Sequence, residues 1–100
     1  YNLNQVLYMQ VKEGPITEAQ SFIVSQNGLY LNVKDRELFK VGKRIHLSTM
    51  DYTNQQTIHL NGLITSENEN SKGKGLGIRF IKVSRIQKDL LTNWINTLSA

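Results

Sequence analysis

Apolar and polar residues alternate with a period of two along much of the first 83 positions, which predicts β-strands. In residues 29–33, for example, Leu29, Leu31 and Val33 fall on one face, while Tyr30 and Asn32 fall on the other. Each segment of this kind is typical of a strand with one face in a core and one in water. The predicted strands cover residues 6–12, 16–24, 29–33, 44–48, 57–65 and 76–83.

Turn and loop signals separate these segments. Residues 13–15 (EGP) predict a hairpin, and Asn27-Gly28 is the strongest turn signal because both residues tolerate positive φ. Residues 34–40 and 50–56 are predicted to be loops, with Leu38 and Phe39 of the first plugging the barrel or sheet edge. Gly62 predicts a bulge or a close backbone approach. Residues 66–74 are polar or glycine, and we expect a mobile hairpin tip over 66–75.

The period changes after Val83. A stripe at helical spacing, with a capping-box pair at Ser84 and Gln87, predicts a helix over about residues 85–98. The order of elements predicts a mainly β fold, a small six-stranded antiparallel β-barrel followed by a C-terminal α-helix, in one domain over residues 1–100. The apolar stripe consists of Ile86, Leu90, Leu91, Trp94, Ile95 and Leu98.

Composition narrows the function classes. The chain has a net charge of +4 and no cysteine, so it favours acidic partners, and nothing in it indicates an oxidising compartment. No apolar run is long enough to span a membrane, and we expect a cytoplasmic protein. The sequence does not begin with Met, which fits a domain taken from a longer protein. Basic residues do not cluster with aromatic ones, which argues against a sequence-specific nucleic-acid binder.

Residues that could carry catalysis are scattered. His46 and His59 lie on separate predicted strands and are expected to face solvent, so we predict no metal site. Residues 73–77 (GKGLG) resemble a phosphate loop but lack its residue order and lead into a strand. We therefore expect neither an enzyme nor a resident cofactor. The helical stripe is core or, in part, a docking surface for a partner or a second copy of the chain, and the candidate partner-binding residues are Trp94, Leu91 and Leu98.

Four segments in a fixed order resemble the PilZ domain family, bacterial modules best known for binding cyclic di-GMP. Residues 23–31 (IVSQNGLYL) resemble the family's [D/N]xSxxG motif and the strand after it, and 41–45 (VGKRI) resemble its Val-Gly strand opening. Residues 60–64 (LNGLI) and 75–80 (GLGIRF) resemble its later glycine-bearing strands, and a leucine-rich terminal helix completes the likeness.

The departures from the family pattern concern the ligand site. The family's RxxxR loop clamps phosphates with guanidinium forks, which other side chains replace poorly. Here Tyr1 and Gln5 stand at the two arginine positions, and Ile23 replaces the Asp or Asn of the second motif. The resemblance carries over six candidate ligand-binding residues, Gln5, Ser25, Asn27, Gly28, Gly77 and Arg79.

The resemblance implies a non-catalytic regulatory or adaptor domain in cyclic di-GMP signalling, with weak or no nucleotide binding. Its partners would be bacterial signalling, motility or secretion proteins, with a homodimer through the C-terminal helix as a further expectation. The alternative is a genuine cyclic di-GMP receptor whose arginines come from upstream, from another chain, or from Arg44 and Arg79. Two other readings are a structural domain and an oligonucleotide-binding barrel, although the candidate stacking residues Tyr8, Tyr30, Tyr52, Phe22 and Phe39 do not cluster at strand spacing.

Overall fold

Eight β-strands precede one helix in the computed structural model, which describes residues 1–34, 37–71 and 73–98. All strand pairs are antiparallel and form a single sheet in the order β1-β4-β5-β8-β7-β6-β2-β3. The elements are β1 (Asn2–Leu3), β2 (Leu7–Val11), β3 (Ile16–Ala19), β4 (Phe22–Val24), β5 (Gly28–Val33), β6 (Arg44–Asp51), β7 (Gln56–Asn70), β8 (Gly73–Ile81) and α1 (Arg85–Leu98).

The sheet curls into a half-barrel, so the prediction of a closed six-stranded barrel was wrong in strand number and in closure. β1 and β3 are the two edges of the sheet and are not paired with each other. The predicted strand 16–24 is split, because β3 pairs with β2 while β4 pairs with β5. Between β3 and β4 the chain turns a corner, with buried Ala19 before it and buried Phe22 and Val24 after it. Ala19 and Phe22 are three residues apart, so the inward positions change phase at the corner, a shift that the predicted single strand 16–24 did not take into account.

Residues 66–70 and 73–75 are paired strand residues of a long hairpin, so the predicted tip over 66–75 was too wide, and Lys72 lies outside the described residues. β7 and β8 stay paired from Ser66 opposite Gly77 out to Asn70 opposite Gly73. Backbone hydrogen bonds hold a ladder together whether or not its side chains are apolar, so low hydrophobicity was a poor guide here. The predicted loop 50–56 is also shorter, because β6 extends to Asp51 and β7 begins at Gln56.

The core lies inside the curl, where Leu29, Leu31 and Val33, which were predicted to share the inward face of one strand, are all buried. Phe39 is fully buried, as its predicted role as a plug requires. Lys74 is also buried, and its Nζ donates to the Phe39 carbonyl oxygen at 2.9 Å and lies 3.6 Å from Glu67 Oε1. These contacts of Lys74 hold Phe39 against the sheet.

Two core side chains pack closely against the Gly62 backbone, and Gly62 does not form a bulge. A Cβ at this position would contact the side chains of Ile78 and Leu47 in the core. The bulge in β7 lies further along, where the register shifts between Ile64 and Ser66.

Helix α1 begins with the predicted capping box. The Ser84 amide donates to Gln87 Oε1 at 2.9 Å, and the Gln87 amide donates to Ser84 Oγ at 3.1 Å. Gln87 Nε2 also donates to the His59 carbonyl oxygen at 3.0 Å, which ties the start of α1 to β7. Across residues 1–34, 37–71 and 73–98, no helix has the length and apolar character that crossing a bilayer requires.

Candidate ligand or partner groove

Five of the six candidate ligand-binding residues line one shallow groove of about 370 Å³ on the outer face of the sheet. The groove lies beside the β4–β5 turn and extends over β8 to β7. Its lining comprises Ile23, Val24, Ser25, Asn27, Gly28, Leu29, Tyr30, Thr65, Gly77, Ile78 and Arg79.

Ser25 closes the β4–β5 turn. Its amide donates to the Gly28 carbonyl oxygen at 2.9 Å, and its hydroxyl donates to the same oxygen at 3.2 Å. The Ser25 hydroxyl also accepts a long hydrogen bond, 3.4 Å, from the Asn27 amide. The Asn27 carbonyl oxygen accepts from the Phe80 amide at 2.9 Å, which anchors the turn to β8. Ser25 and Asn27 therefore stabilise the turn through these hydrogen bonds without any ligand.

A glycine is needed at position 28 because the neighbouring strand leaves no room for a side chain, and not because of its backbone torsion. Neither Asn27 nor Gly28 has a positive φ, so the turn does not use the torsion that both residues tolerate. Gly28 lies opposite Arg79 in the β5–β8 ladder, and a Cβ on Gly28 would collide with the carbonyl oxygen of Ile78. The absence of a side chain thus allows β5 and β8 to approach at the edge of the groove.

Two exposed side chains in the groove, Ile23 and Tyr30, were not among the predicted site residues. They lie directly opposite each other on β4 and β5 and are 48% and 36% exposed. Cross-strand neighbours of this kind form one continuous contact surface. An isoleucine at an outward position was the available sequence signal, because alternation predicts a polar residue there.

The glycines of β8 leave room for the Tyr30 ring. A Cβ on Gly75 would collide with the Tyr30 hydroxyl and with Asn68 Oδ1, and the hydroxyl donates to that oxygen at 3.2 Å. Gly77 lies directly opposite Tyr30 in the ladder. The glycine pattern of the last strand therefore provides a flat floor on which an aromatic ring lies.

Arg79 is the one arginine among the described residues that line the groove. Its side chain is exposed, and no ion pair with another described residue holds it. Leu63 of β7 lies opposite Arg79 on one side and opposite Arg44 of β6 on the other. A single strand therefore separates Arg44 from Arg79, which places their Cα atoms about 10 Å apart at the usual strand spacing.

Gln5 does not take part in the groove. Its Nε2 donates to Thr49 Oγ1 at 2.9 Å and to the Met50 carbonyl oxygen at 2.7 Å. These bonds hold Gln5 against the end of β6. Tyr1 lies nearer to the groove, because its ammonium group donates to the Val24 carbonyl oxygen at 2.9 Å.

The candidate partner-binding residues of α1 pack inward. Leu91 and Trp94 are each 2% exposed, and the Trp94 ring centroid lies 6.2 Å from that of Phe22. Leu98 is partly buried against the same core. The exposed apolar residue of the stripe is Ile86, at 74%. This packing does not favour a partner surface built on Leu91 and Trp94.

His46 and His59 face solvent as predicted, but they meet. His46 Nε2 and His59 Nδ1 are 3.3 Å apart, and the rings stack at a centroid distance of 5.5 Å. Within the described part of the chain, no group of three or more histidine, cysteine, aspartate or glutamate residues could hold a metal ion.

Comparisons with solved structures agree on the fold. The inhibitor of motility MotI/DgrA from Bacillus subtilis has a TM-score of 0.68 and 15% identity, covering 97% of this chain and 49% of that one. YcgR from Escherichia coli, solved in complex with c-di-GMP, has a TM-score of 0.68 and 15% identity, covering 99% of this chain and 44% of that one. This chain therefore spans about half the length of either protein.

The PilZ domain of CeSA from a cellulose-synthesizing bacterium has a TM-score of 0.68 and 10% identity, with coverage of 100% and 99%. Among curated proteins, none matches this sequence. The family model described as "PilZ domain" matches residues 4–97, nearly the whole chain. With its curled antiparallel sheet, its glycine-bearing groove and its capped terminal helix, this chain belongs to the PilZ domain family.

Proposed function

We propose that this domain is a non-catalytic regulatory or adaptor module of bacterial cyclic di-GMP signalling, which acts in the cytoplasm by protein–protein contact and binds the nucleotide weakly or not at all. The observation that carries the proposal is the chemistry of the groove. An exposed isoleucine, Ile23, occupies the place of the family's Asp or Asn, and it lies beside exposed Tyr30.

Such a surface suits a protein better than a charged nucleotide. Isoleucine offers no acceptor to a guanine edge, whereas an aliphatic side chain next to a tyrosine is typical of protein interfaces. Tyr1 and Gln5 stand where the phosphate-clamping arginines would be, and Gln5 is held by β6. Each charge-assisted hydrogen bond contributes about 1.5–3 kcal/mol, so losing two of them weakens binding by roughly 100-fold or more.

The competing function is that of a genuine cyclic di-GMP receptor, and one observation favours it. The Tyr1 main chain is paired with Val24, which lines the groove. Residues that precede Tyr1 in a longer protein would therefore emerge beside the groove, and arginines among them would be in reach of it.

Isothermal titration calorimetry of cyclic di-GMP at physiological salt tests the proposal. We expect no saturable heat from this chain at ligand concentrations up to about 1 mM. A dissociation constant below about 10 μM would overturn the proposal and favour the receptor.

A gain-of-binding variant serves as the internal control. Tyr1→Arg combined with Ile23→Asp returns one guanidinium and one guanine acceptor to the groove, and we expect measurable heat from this double variant. Tyr52→Arg combined with Ile16→Asp makes the same charge changes at two exposed residues outside the groove and should stay silent. Equal heat from both variants would show that binding does not depend on the groove.

A further inference from the structure

A second depression, of about 440 Å³, opens on the outer face of the sheet and shares no lining residue with the groove. It lies where β2 ends, β6 begins and β8 ends. Three exposed cationic side chains, Lys12, Arg44 and Lys82, line it together with Asn61 and His46. From this convergence we infer a second binding site, specific for the phosphate group of a small phosphorylated molecule.

Strand register brings the cations together. Val11 lies opposite Ile45, so the next residues, Lys12 and Arg44, leave the β2–β6 ladder side by side. Like charges at neighbouring positions of adjacent strands repel each other and destabilise the pair. No ion pair with another described residue offsets this repulsion, although Glu13 also lines the depression. A bound anion would remove it.

The third cation stands at a strained position. β8 ends at Ile81, and Lys82 follows with φ of 50°, in the left-handed region. This conformation costs a residue with a Cβ about 1–2 kcal/mol, and glycine would adopt it freely. The chain nevertheless carries a lysine here, beside the other two cations.

An amide, an imidazole and an apolar floor complete the site. Asn61 lies between His46 on β6 and Ile81 on β8 in the ladder, so an amide and an imidazole face the same depression. The floor includes the buried residues Val11 and Ile45. An arginine fork binds two phosphate oxygens at once, and cations from three segments enclose a compact dianion better than an extended acidic peptide.

The size of the depression sets the class of ligand. A volume of about 440 Å³ lies within the range of small-molecule sites, which run from roughly 300 to 1,000 Å³. Inorganic phosphate would occupy a part of it, whereas a nucleoside monophosphate or a sugar phosphate would fill much more. His46 also lines the neighbouring depression with Tyr8 and Ile16, which places an aromatic surface next to the cations.

Amide NMR shifts during titration with inorganic phosphate, at fixed ionic strength, test the site. We expect saturable shifts centred on Arg44, Asn61 and Lys82. Arg44→Gln should weaken binding about tenfold, because it removes a bidentate charged contact. Lys34→Gln makes the same charge change at an exposed lysine outside the site and should alter the dissociation constant less than about twofold.

Three outcomes would overturn the inference. One is the absence of saturable shifts, and another is an equal weakening by Arg44→Gln and Lys34→Gln, which would indicate non-specific attraction. The third is a set of shifts centred on Ser25 and Gly28, which would assign the anion to the groove. A parallel titration with adenosine monophosphate separates the sources, since tighter binding than that of inorganic phosphate, with shifts at His46, indicates a ligand with an organic portion.

Discussion

Gly28 lies at the edge of the groove, opposite Arg79 in the β5–β8 ladder. The carbonyl oxygen that a Cβ would meet belongs to the Ile78 backbone, which is fixed by the ladder on both sides. A flexible side chain could turn away from such a contact, but a paired backbone cannot. The residue therefore has a structural role that can be measured separately from any ligand.

Gly28→Ala should lower the free energy of unfolding by about 1–3 kcal/mol, because the added methyl group must push β5 and β8 apart. Urea denaturation followed by circular dichroism measures this change. Asn27→Ala is the matched control, since the neighbouring side chain is exposed and only its backbone is hydrogen-bonded in the turn. An unchanged stability for Gly28→Ala would mean that the two strands separate without cost at this point.

The expected destabilisation also makes variants of Gly28 poor probes of binding. Gly28→Asp would disturb the ladder, so a loss of partner or ligand binding would not locate the site. Ile23→Asp is a cleaner probe, because its side chain is 48% exposed and its strand is left intact.

At the scale of elements, α1 depends on contacts at its first turn and on the burial of one of its faces. The capping box satisfies two amides at its start, and Gln87 links the first turn to His59 of β7. Leu91, Trp94 and Ile95 bury one face of the helix in the core. A short isolated helix is marginal in water, so these contacts supply most of its stability.

Ser84→Ala should lower the free energy of unfolding by about 1 kcal/mol, because the Gln87 amide loses its acceptor. Ser84→Thr keeps the hydroxyl and should retain most of the stability. Thermal or urea unfolding of the two variants gives the comparison. If both lost the same amount, the contribution of this position would come from packing and not from the cap.

At the scale of the whole molecule, one core joins the helix to the sheet. Trp94, the sole tryptophan of the sequence, is 2% exposed and lies near Phe22 of β4, close to the β1 edge of the sheet. The helix therefore covers apolar surface that the open half-barrel would otherwise expose. This role explains why part of its stripe is unavailable to a partner.

Trp94→Ala should lower the free energy of unfolding by about 3–5 kcal/mol, a large part of the stability of a small domain. Ile86→Ala, which shortens an exposed residue of the same stripe, should change it by less than about 0.5 kcal/mol. Far-ultraviolet circular dichroism during denaturation follows both variants without relying on tryptophan fluorescence. A mild effect of Trp94→Ala would contradict the packing of α1 and would favour a partner surface on its stripe.

Local sequence determined much of this protein. Alternation identified the buried faces of Leu29, Leu31 and Val33, and helical spacing with the Ser84–Gln87 pair located α1. These features depend on interactions between near neighbours in the chain, so their patterns can be read directly. The order of the glycine-bearing segments was sufficient to indicate the family.

Tertiary structure decided the rest, because strand pairing joins residues that are distant in sequence. The inward positions shift phase between Ala19 and Phe22, but a phase shift does not reveal that β3 and β4 pair with different neighbours. Ile23 and Tyr30 form one surface only because cross-strand register places them opposite each other. Lys12, Arg44 and Lys82 converge only because β2 and β8 end where β6 begins. Register carries no local signature, and for that reason both candidate sites required the folded sheet to be seen.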